Sequence, residues 1–349
     1  MLGTNPRRNL QVLGRVIVSS NGKQILLTGG AGFIGSHVAE ALLRRGEQLA
    51  IIDNLDDFYS SDWKKANLAD IRRGGSFEFN DVDICDLERL REVIARTRPD
   101  AIIHLAARAG VRPSIEHPQL YERVNIAGTV NLLELCREFA VRKVLFASSS
   151  SVYGATSLAP FCESHFELRP ISPYGATKLA GELLCYTYAH LYKIQTVCLR
   201  FFTVYGPRQR PDLAIHKFVG LIEKGRPVPI FGDESSGRDY TYVDDTVAGV
   251  LAALEFDPRG RDGKIPFEVF NLGNSNPVKL GELVALLERL TGRKALREVR
   301  APQPGDVPLT WADISKSERL LGYRPAVRIE DGLSRFVEWY RTADPNRRA

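Results

Sequence analysis

The chain has 349 residues, 47 basic and 42 acidic, and a formal charge of +5. No apolar run approaches the roughly 20 residues of a membrane helix, and the basic residues fall in scattered pairs (Arg44-Arg45, Arg72-Arg73, Arg347-Arg348), so neither a membrane span nor a nucleic-acid surface is expected. At about 100–200 residues per domain, the length suggests two lobes.

Residues 1–22 form an N-terminal extension broken by Gln11, Gly14 and Arg15, a disordered lead-in or a short extra strand rather than a signal peptide. The run 24–27 predicts a buried strand, ended by Thr28-Gly29-Gly30. A helical pattern follows over 37–45. Strands are expected at 49–52, 77–82, 101–105, 143–147 and 195–199, and helices over 86–96, 121–139 and 173–192. This alternation implies a parallel sheet covered on both faces. After Arg200 prolines cluster and strand runs shorten (228–231, 239–243, 267–272), while helical patterns recur at 214–223, 244–255, 280–290, 315–321 and 330–340. The expected fold is α/β. A Rossmann-type doubly wound parallel sheet covers 23–204 and regains 239–272. A smaller C-terminal α/β cap covers 205–238 and 273–342, and 343–349 is a tail. Five cysteines without CxxC spacing suit free thiols in a reducing cytoplasm. The histidines form no metal pattern, so no catalytic metal is expected.

Gly29-Gly30-Ala31-Gly32-Phe33-Ile34-Gly35 stands between a strand and a helix. Its glycines permit a tight turn and close approach of a pyrophosphate, and the helix start supplies unpaired N–H groups. Asp53 ends the second strand run, where a carboxylate accepts from ribose hydroxyls and repels a 2′-phosphate. NAD is therefore favoured over NADP. Asp83-Ile84, after the third strand, either faces the adenine or caps the helix at 86.

Tyr174 and Lys178 stand four apart on a predicted helix and share one face. A neighbouring ammonium lowers a phenol's pKa and makes it a general base for a hydroxyl proton. Ser148-Ser149-Ser150-Ser151 ends a strand at the edge where ligands bind in such sheets.

With these motifs, His104-Leu105-Ala106-Ala107, Asn125-Ile126-Ala127-Gly128-Thr129 and Gly237-Arg238-Asp239-Tyr240, the chain resembles an extended short-chain dehydrogenase/reductase of the nucleotide-sugar epimerase type. It is most similar to UDP-glucuronate 4-epimerases through Ala109-Gly110-Val111-Arg112, Arg200-Phe201-Phe202-Thr203-Val204-Tyr205-Gly206-Pro207, Arg210-Pro211-Asp212-Leu213 and Gln303-Pro304-Gly305-Asp306-Val307. The resemblance covers about residues 24–340. It implies a catalytic trio of Ser149, Tyr174 and Lys178. It implies NAD contacts at Gly29, Gly32, Phe33, Ile34, Gly35, Asp53, Asn54, Asp83, Ile84, Leu105, Ala106, Ala107, Asn125, Ser148, Phe201 and Val204, besides Tyr174 and Lys178. UDP-sugar contacts would fall on Arg112, Ser149, Ser150, Ser151, Thr203, Arg210, Val228, Phe231, Arg238, Gln303 and Asp306. Gln303 stands where related UDP-glucose epimerases often carry Arg. The family's helix pairing implies a homodimer through 121–139 and 173–192.

The implied reaction inverts C4 of UDP-glucuronate through a 4-keto sugar, which turns about its diphosphate link to give UDP-galacturonate. Arg238 suits the diphosphate and Arg210 the carboxylate. Related dehydratases carry an acidic pair before Val-Tyr-Gly, and decarboxylases a Glu; here Ser150 and Ser151 precede Val152-Tyr153-Gly154. The rival readings are a 4-epimerase of a neutral UDP-sugar, a UDP-glucuronate decarboxylase and a non-catalytic NAD-binding protein.

Overall fold

The computed structural model describes residues 22–155, 158–258 and 265–343. The N-terminal extension and residues 344–349 of the tail therefore lie outside the described residues, apart from Gly22 and Ala343.

The strands are β1 (Gln24–Thr28), β2 (Gln48–Ile52), β3 (Glu78–Asn80), β4 (Ala101–His104), β5 (Lys143–Ser149), β6 (Gln195–Phe201), β7 (Thr203–Tyr205), β8 (Pro227–Phe231), β9 (Gly237–Tyr242), β10 (Phe267–Leu272), β11 (Pro277–Lys279) and β12 (Leu296–Arg300). Seven form one parallel sheet in the order β10-β6-β5-β4-β1-β2-β3. β1 and β4 read as continuous apolar runs because both of their faces are buried. Successive residues serve opposite layers: Ile25, Leu27, Ile51 and Ile103 join one core cluster, and Leu26, Ile52 and Ile102 the other.

The strand order reverses between β1 and β4, which opens a crevice at their C-terminal ends. Parallel register gathers the functional strand ends along that rim. Thr28 pairs with both Ile52 and His104, and Ser149 pairs with Phe201.

The lobes interleave more than the sequence suggests. β10 completes the main sheet beside β6, but β9 lies in a three-stranded sheet between β7 and β11. β7 itself straddles the boundary expected after residue 204. β8 and β12 form a separate parallel pair.

Besides a short helix at Val111–Glu116 that was not expected, two helical regions differ from expectation. The helix expected over 121–139 is three pieces, Pro118–Tyr121, a π-helical turn Glu122–Ala127 and Gly128–Glu138. The turn carries Asn125, whose buried side chain bonds inward. The helix Ser61–Gly74 was not expected at all, since its buried face includes Lys64 and Asn67, which mask the apolar period. The signal present was Ser60, whose hydroxyl accepts from the Asp62 N–H at 3.3 Å. No described helix is long and apolar enough to cross a membrane.

Candidate active site

β1 runs into a left-handed Gly29 (φ +72°), whose N–H donates to the Ile52 carbonyl at 2.7 Å. The following helix, Phe33–Arg44, packs straight onto this turn: a Cβ on Gly35 would stand 2.1 Å from the Gly29 oxygen. Gly32 brings no side-chain cap, and no acidic residue occupies the first turn. The positive helix end and its free N–H groups therefore face the crevice, which suits a pyrophosphate.

Beyond β2, Asp53 is buried. Its oxygens accept from Ala31 N–H (3.1 Å) and Leu55 N–H (2.9 Å), and Lys64 Nζ lies 3.8 Å away. Burial pushes Asp53 up and Lys64 down, and their mutual attraction opposes both shifts. Asn54 donates to Asp83 at 3.1 Å, joining the ends of β2 and β3. The resulting cavity suits a dinucleotide: glycine backbone and a helix start at one end, a carboxylate at the ribose position, and apolar Ile34, Ile84 and Leu105 between.

Its other end reaches Tyr174 and Lys178, and Ser149, the third residue expected to be catalytic, lines the neighbouring cavity. Ser149 closes β5. Tyr174 and Lys178 lie on the helix Pro173–Tyr192, started by Ser172, whose hydroxyl accepts from Gly175 N–H at 3.1 Å. Lys178 Nζ donates to the Ala147 carbonyl at 2.7 Å, 5.1 Å from the Phe146 ring centre and 6.0 Å from that of Tyr174. Burial pushes the Lys178 ammonium down to about 8. Burial also raises the Tyr174 phenol, opposed by the Ser149 hydroxyl and the Arg210 charge. Lys178 is the neighbouring ammonium expected from the sequence, and the Arg210 charge, unforeseen in that role, acts on the phenol in the same direction.

A second cavity meets the first at Phe33, Ile34, Ala109, Ser148, Tyr174, Phe201 and Arg210. Ser149, Ser150, Ser151, Thr203, Arg238 and Asp306 line it. All the expected cofactor residues line the first cavity except Asn125 and Val204. Val204 faces the second. The Asn125 side chain instead binds the Arg108 backbone and the Thr177 hydroxyl. Ser148 lines both cavities, yet its hydroxyl donates to Glu182.

Four expected substrate contacts stand outside the second cavity's wall. Val228 is fully buried in β8. Phe231 lies under the Arg112 guanidinium at 4.9 Å, and Arg112 pairs with Asp306 at 3.1 Å across the cavity mouth. The Gln303 carbonyl accepts from Asp306 N–H at 3.3 Å. Arg210 was expected to be open to a carboxylate, but its Nε and Nη2 already donate to Asp212, both at 2.9 Å. Arg208, two residues earlier in the same loop, ties it to Glu40 and Asp70.

Sequence reasoning missed Phe58, Tyr59, Lys64 and Arg108, all in the cofactor cavity wall. Phe58 and Lys64 follow Asp53 closely, but only the unexpected helix Ser61–Gly74 turns Lys64 inward. Arg108 Nη2 reaches Asp56 at 2.6 Å, a pairing 52 residues apart. Also unforeseen was a buried ion pair behind the trio. Glu182, two turns after Tyr174 on the same helix, accepts from Arg200 Nε (2.9 Å) and Nη2 (2.7 Å).

Comparison with known proteins places this geometry. Residues 26–336 match the family model described as GDP-mannose 4,6 dehydratase. The chain is 44% identical over 315 residues to a UDP-glucuronate 4-epimerase of Thermodesulfobacterium geofontis, covering 90% of this chain and 95% of that one. The Bacillus cereus UDP-glucuronic acid 4-epimerase, solved with UDP-glucuronic acid and NAD, superposes with a TM-score of 0.83 at 39% identity, over 90% of this chain and 98% of that one. A Thermotoga maritima UDP-glucose 4-epimerase, solved with UDP-glucose, gives a TM-score of 0.82 at 35% identity, over 91% and 98%.

Proposed function

The chain belongs to the GDP-mannose 4,6 dehydratase family, and we propose that it is an NAD-dependent epimerase that interconverts UDP-glucuronate and UDP-galacturonate at C4. The observation that carries this reading is the place of Tyr174, on the wall shared by a dinucleotide cavity and a second cavity lined by hydroxyls and cations.

NAD, when bound, accepts the C4 hydride and returns it to the opposite face of the sugar. The chain's own residues handle the proton and the geometry. Tyr174 takes the O4 proton and later gives it back, while Ser149 holds O4 by a hydrogen bond. Burial alone would keep Tyr174 a phenol at neutral pH, so positive charge must sustain its phenolate. Arg210 supplies that charge from the sugar side. Lys178, still mostly protonated at pH 7, supplies it from the cofactor side.

The 4-keto sugar must turn, so the nucleotide is the anchor. Arg238 grips the diphosphate, and Asp306 receives ribose hydroxyls. The 4-keto acid loses carbon dioxide only if its carboxylate bond aligns with the carbonyl π system. Ser150, Ser151 and Thr203 hold the carboxylate out of that alignment. Arg210 is the weaker candidate for this grip, because Asp212 occupies one edge of its guanidinium. Leu183 stands 61% exposed on the catalytic helix, with Tyr186 and Leu191 also exposed beside it. We assign that face to a homodimer contact. The free cysteines fit a cytoplasmic enzyme.

The test is incubation with UDP-glucuronate and product analysis by NMR. UDP-galacturonate is the expected product. Turnover of UDP-glucose alone would refute the carboxylate assignment, and release of carbon dioxide as the main outcome would refute epimerisation.

A further inference from the structure

Five buried polar residues, Thr28, His104, Thr129, Asn125 and Thr177, are linked from the glycine turn to the catalytic helix by side-chain hydrogen bonds, with the Asn125 backbone carbonyl as the one main-chain link. Its proton positions follow from distances. Thr129 Oγ1 lies 2.6 Å from the Asn125 carbonyl oxygen. A carbonyl has no proton, so the threonine's own proton lies between them. Thr129 must then accept from His104 Nε2, 3.1 Å away, and Nε2 carries hydrogen.

On the other side of the ring, Thr28 Oγ1 accepts from Ala106 N–H at 3.2 Å and stands 2.7 Å from Nδ1. With the ring proton on Nε2, Nδ1 accepts the Thr28 proton. A second ring proton would displace that donor and place a cation near Lys178. Both groups lean on Phe146, Lys178 Nζ at 5.1 Å and the imidazole at 5.8 Å between centres. Burial and the Lys178 charge accordingly push His104 down to about 3.

Beyond Asn125, Nδ2 donates to Thr177 Oγ1 at 3.0 Å, which donates to the Tyr174 carbonyl at 2.9 Å. The same amide group clasps the Arg108 backbone at 2.8 and 3.0 Å. One ring thus links the residue before Gly29, the wall at Ala106 and the first turn of the catalytic helix.

Building on the NAD reading of the cavity, we propose that His104 is a positioning residue: its neutral Nε2–H imidazole sets the spacing between the glycine turn and Tyr174. Either hydrogen bond alone would leave the ring free to tilt. Both together fix it, because each ring nitrogen has one partner and one direction. A histidine fits because it offers a donor and an acceptor on opposite edges of one rigid ring.

Two measurements on the full chain loaded with NAD test this. Long-range proton–nitrogen NMR of labelled histidine should show the Nε2–H tautomer, unchanged between about pH 5.5 and 8.5. An Nδ1–H ring, or a titration in that window, overturns the proposal. Thr129→Val keeps the shape and removes the acceptor; turnover should fall about tenfold to a hundredfold. Thr129→Ser should restore it, at equal thermal midpoint. Equal turnover in the Val and Ser variants overturns the positioning role. If the unmodified chain takes up no NAD, the cofactor reading itself fails, and the positioning role with it, whatever the tautomer.

Discussion

The two cavities share Tyr174 but are held together by different means. In the cofactor cavity Asp53, Lys64, Ser148 and Lys178 are buried and engaged with protein partners. The Glu182–Arg200 pair behind it leaves only 5% and 4% of its side chains exposed. At the mouth of the sugar cavity the charges sit on a short helix and a loop and lie half open. Arg112 and Asp306, which pair across its mouth, are 48% and 37% exposed. A buried pair cannot separate without stranding a charge, whereas an exposed pair separates at little cost. The first arrangement suits a cofactor that stays; the second suits a sugar that enters, turns and leaves.

The sharpest way to break this contrast is at the shared wall. Tyr174→Phe removes the proton acceptor and leaves both cavities intact. Turnover should fall by about 10²–10⁴-fold while NAD stays bound. Steady-state rates and the absorbance of retained cofactor check this. An active variant would remove Tyr174 from the chemistry.

The cofactor side should respond next most strongly. Arg200→Met strands the Glu182 carboxylate in the core and should cost about 3–5 kcal/mol of stability. The double change with Glu182→Met should recover much of that loss, since no unpaired charge is left behind. Denaturant unfolding measures both. A double variant no more stable than Arg200→Met would mean that the pair does more than neutralise itself.

The same contrast explains what the sequence shows. The glycine turn and the Tyr174–Lys178 pair are local. Strand–glycine–helix order and four-residue spacing determine their geometry before any tertiary contact forms. The helices 173–192, 214–223 and 315–321 were legible to the residue, from apolar spacing between clear breakers. The helix Ser61–Gly74 was not, because Lys64 and Asn67 turn inward where a pattern reader looks for apolar residues. The sugar side was legible as a set of residue types but not as pairings. Arg112 meets Asp306 across 194 positions, and Arg208 meets Glu40 across 168. Arg210 looked free because Asp212 could as well have pointed to solvent. Such pairings depend on how the loops fold back, which no local pattern encodes.

Lys178 sharpens the comparison through pH. Its ammonium is pushed from 10.5 to about 8, so the folded chain releases this proton before the unfolded chain does. Below about pH 8 both states carry the charge, and its burial costs roughly 3 kcal/mol. Between about 8 and 10.5 the unfolded state binds more protons, so this penalty fades as pH rises. Lys178→Met should therefore be inactive yet more stable at pH 7, by up to roughly 3 kcal/mol less the lost bond to Ala147. That advantage should shrink toward pH 10.5. A constant advantage across this window would mean that Lys178 is not the titrating group.

The smallest effect is expected at the cavity mouth. Arg112→Ala breaks an ion pair that water already screens, so stability should fall by less than about 1 kcal/mol. Arg112 also lies over Phe231, so part of even that small loss is ring contact rather than charge. A double-mutant cycle with Asp306→Ala separates the two contributions. In unfolding, the coupling should be near zero. In substrate binding it should be larger, because a nucleotide under the Asp306 loop holds the mouth shut and returns the pair to its geometry. The expected result is a rise in KM for UDP-glucuronate with kcat little changed. Coupling of equal size in unfolding and in KM would mean that the pair is a static brace. The sugar side would then be built like the cofactor side, and the contrast between the two cavities would fail at the point where it is most exposed.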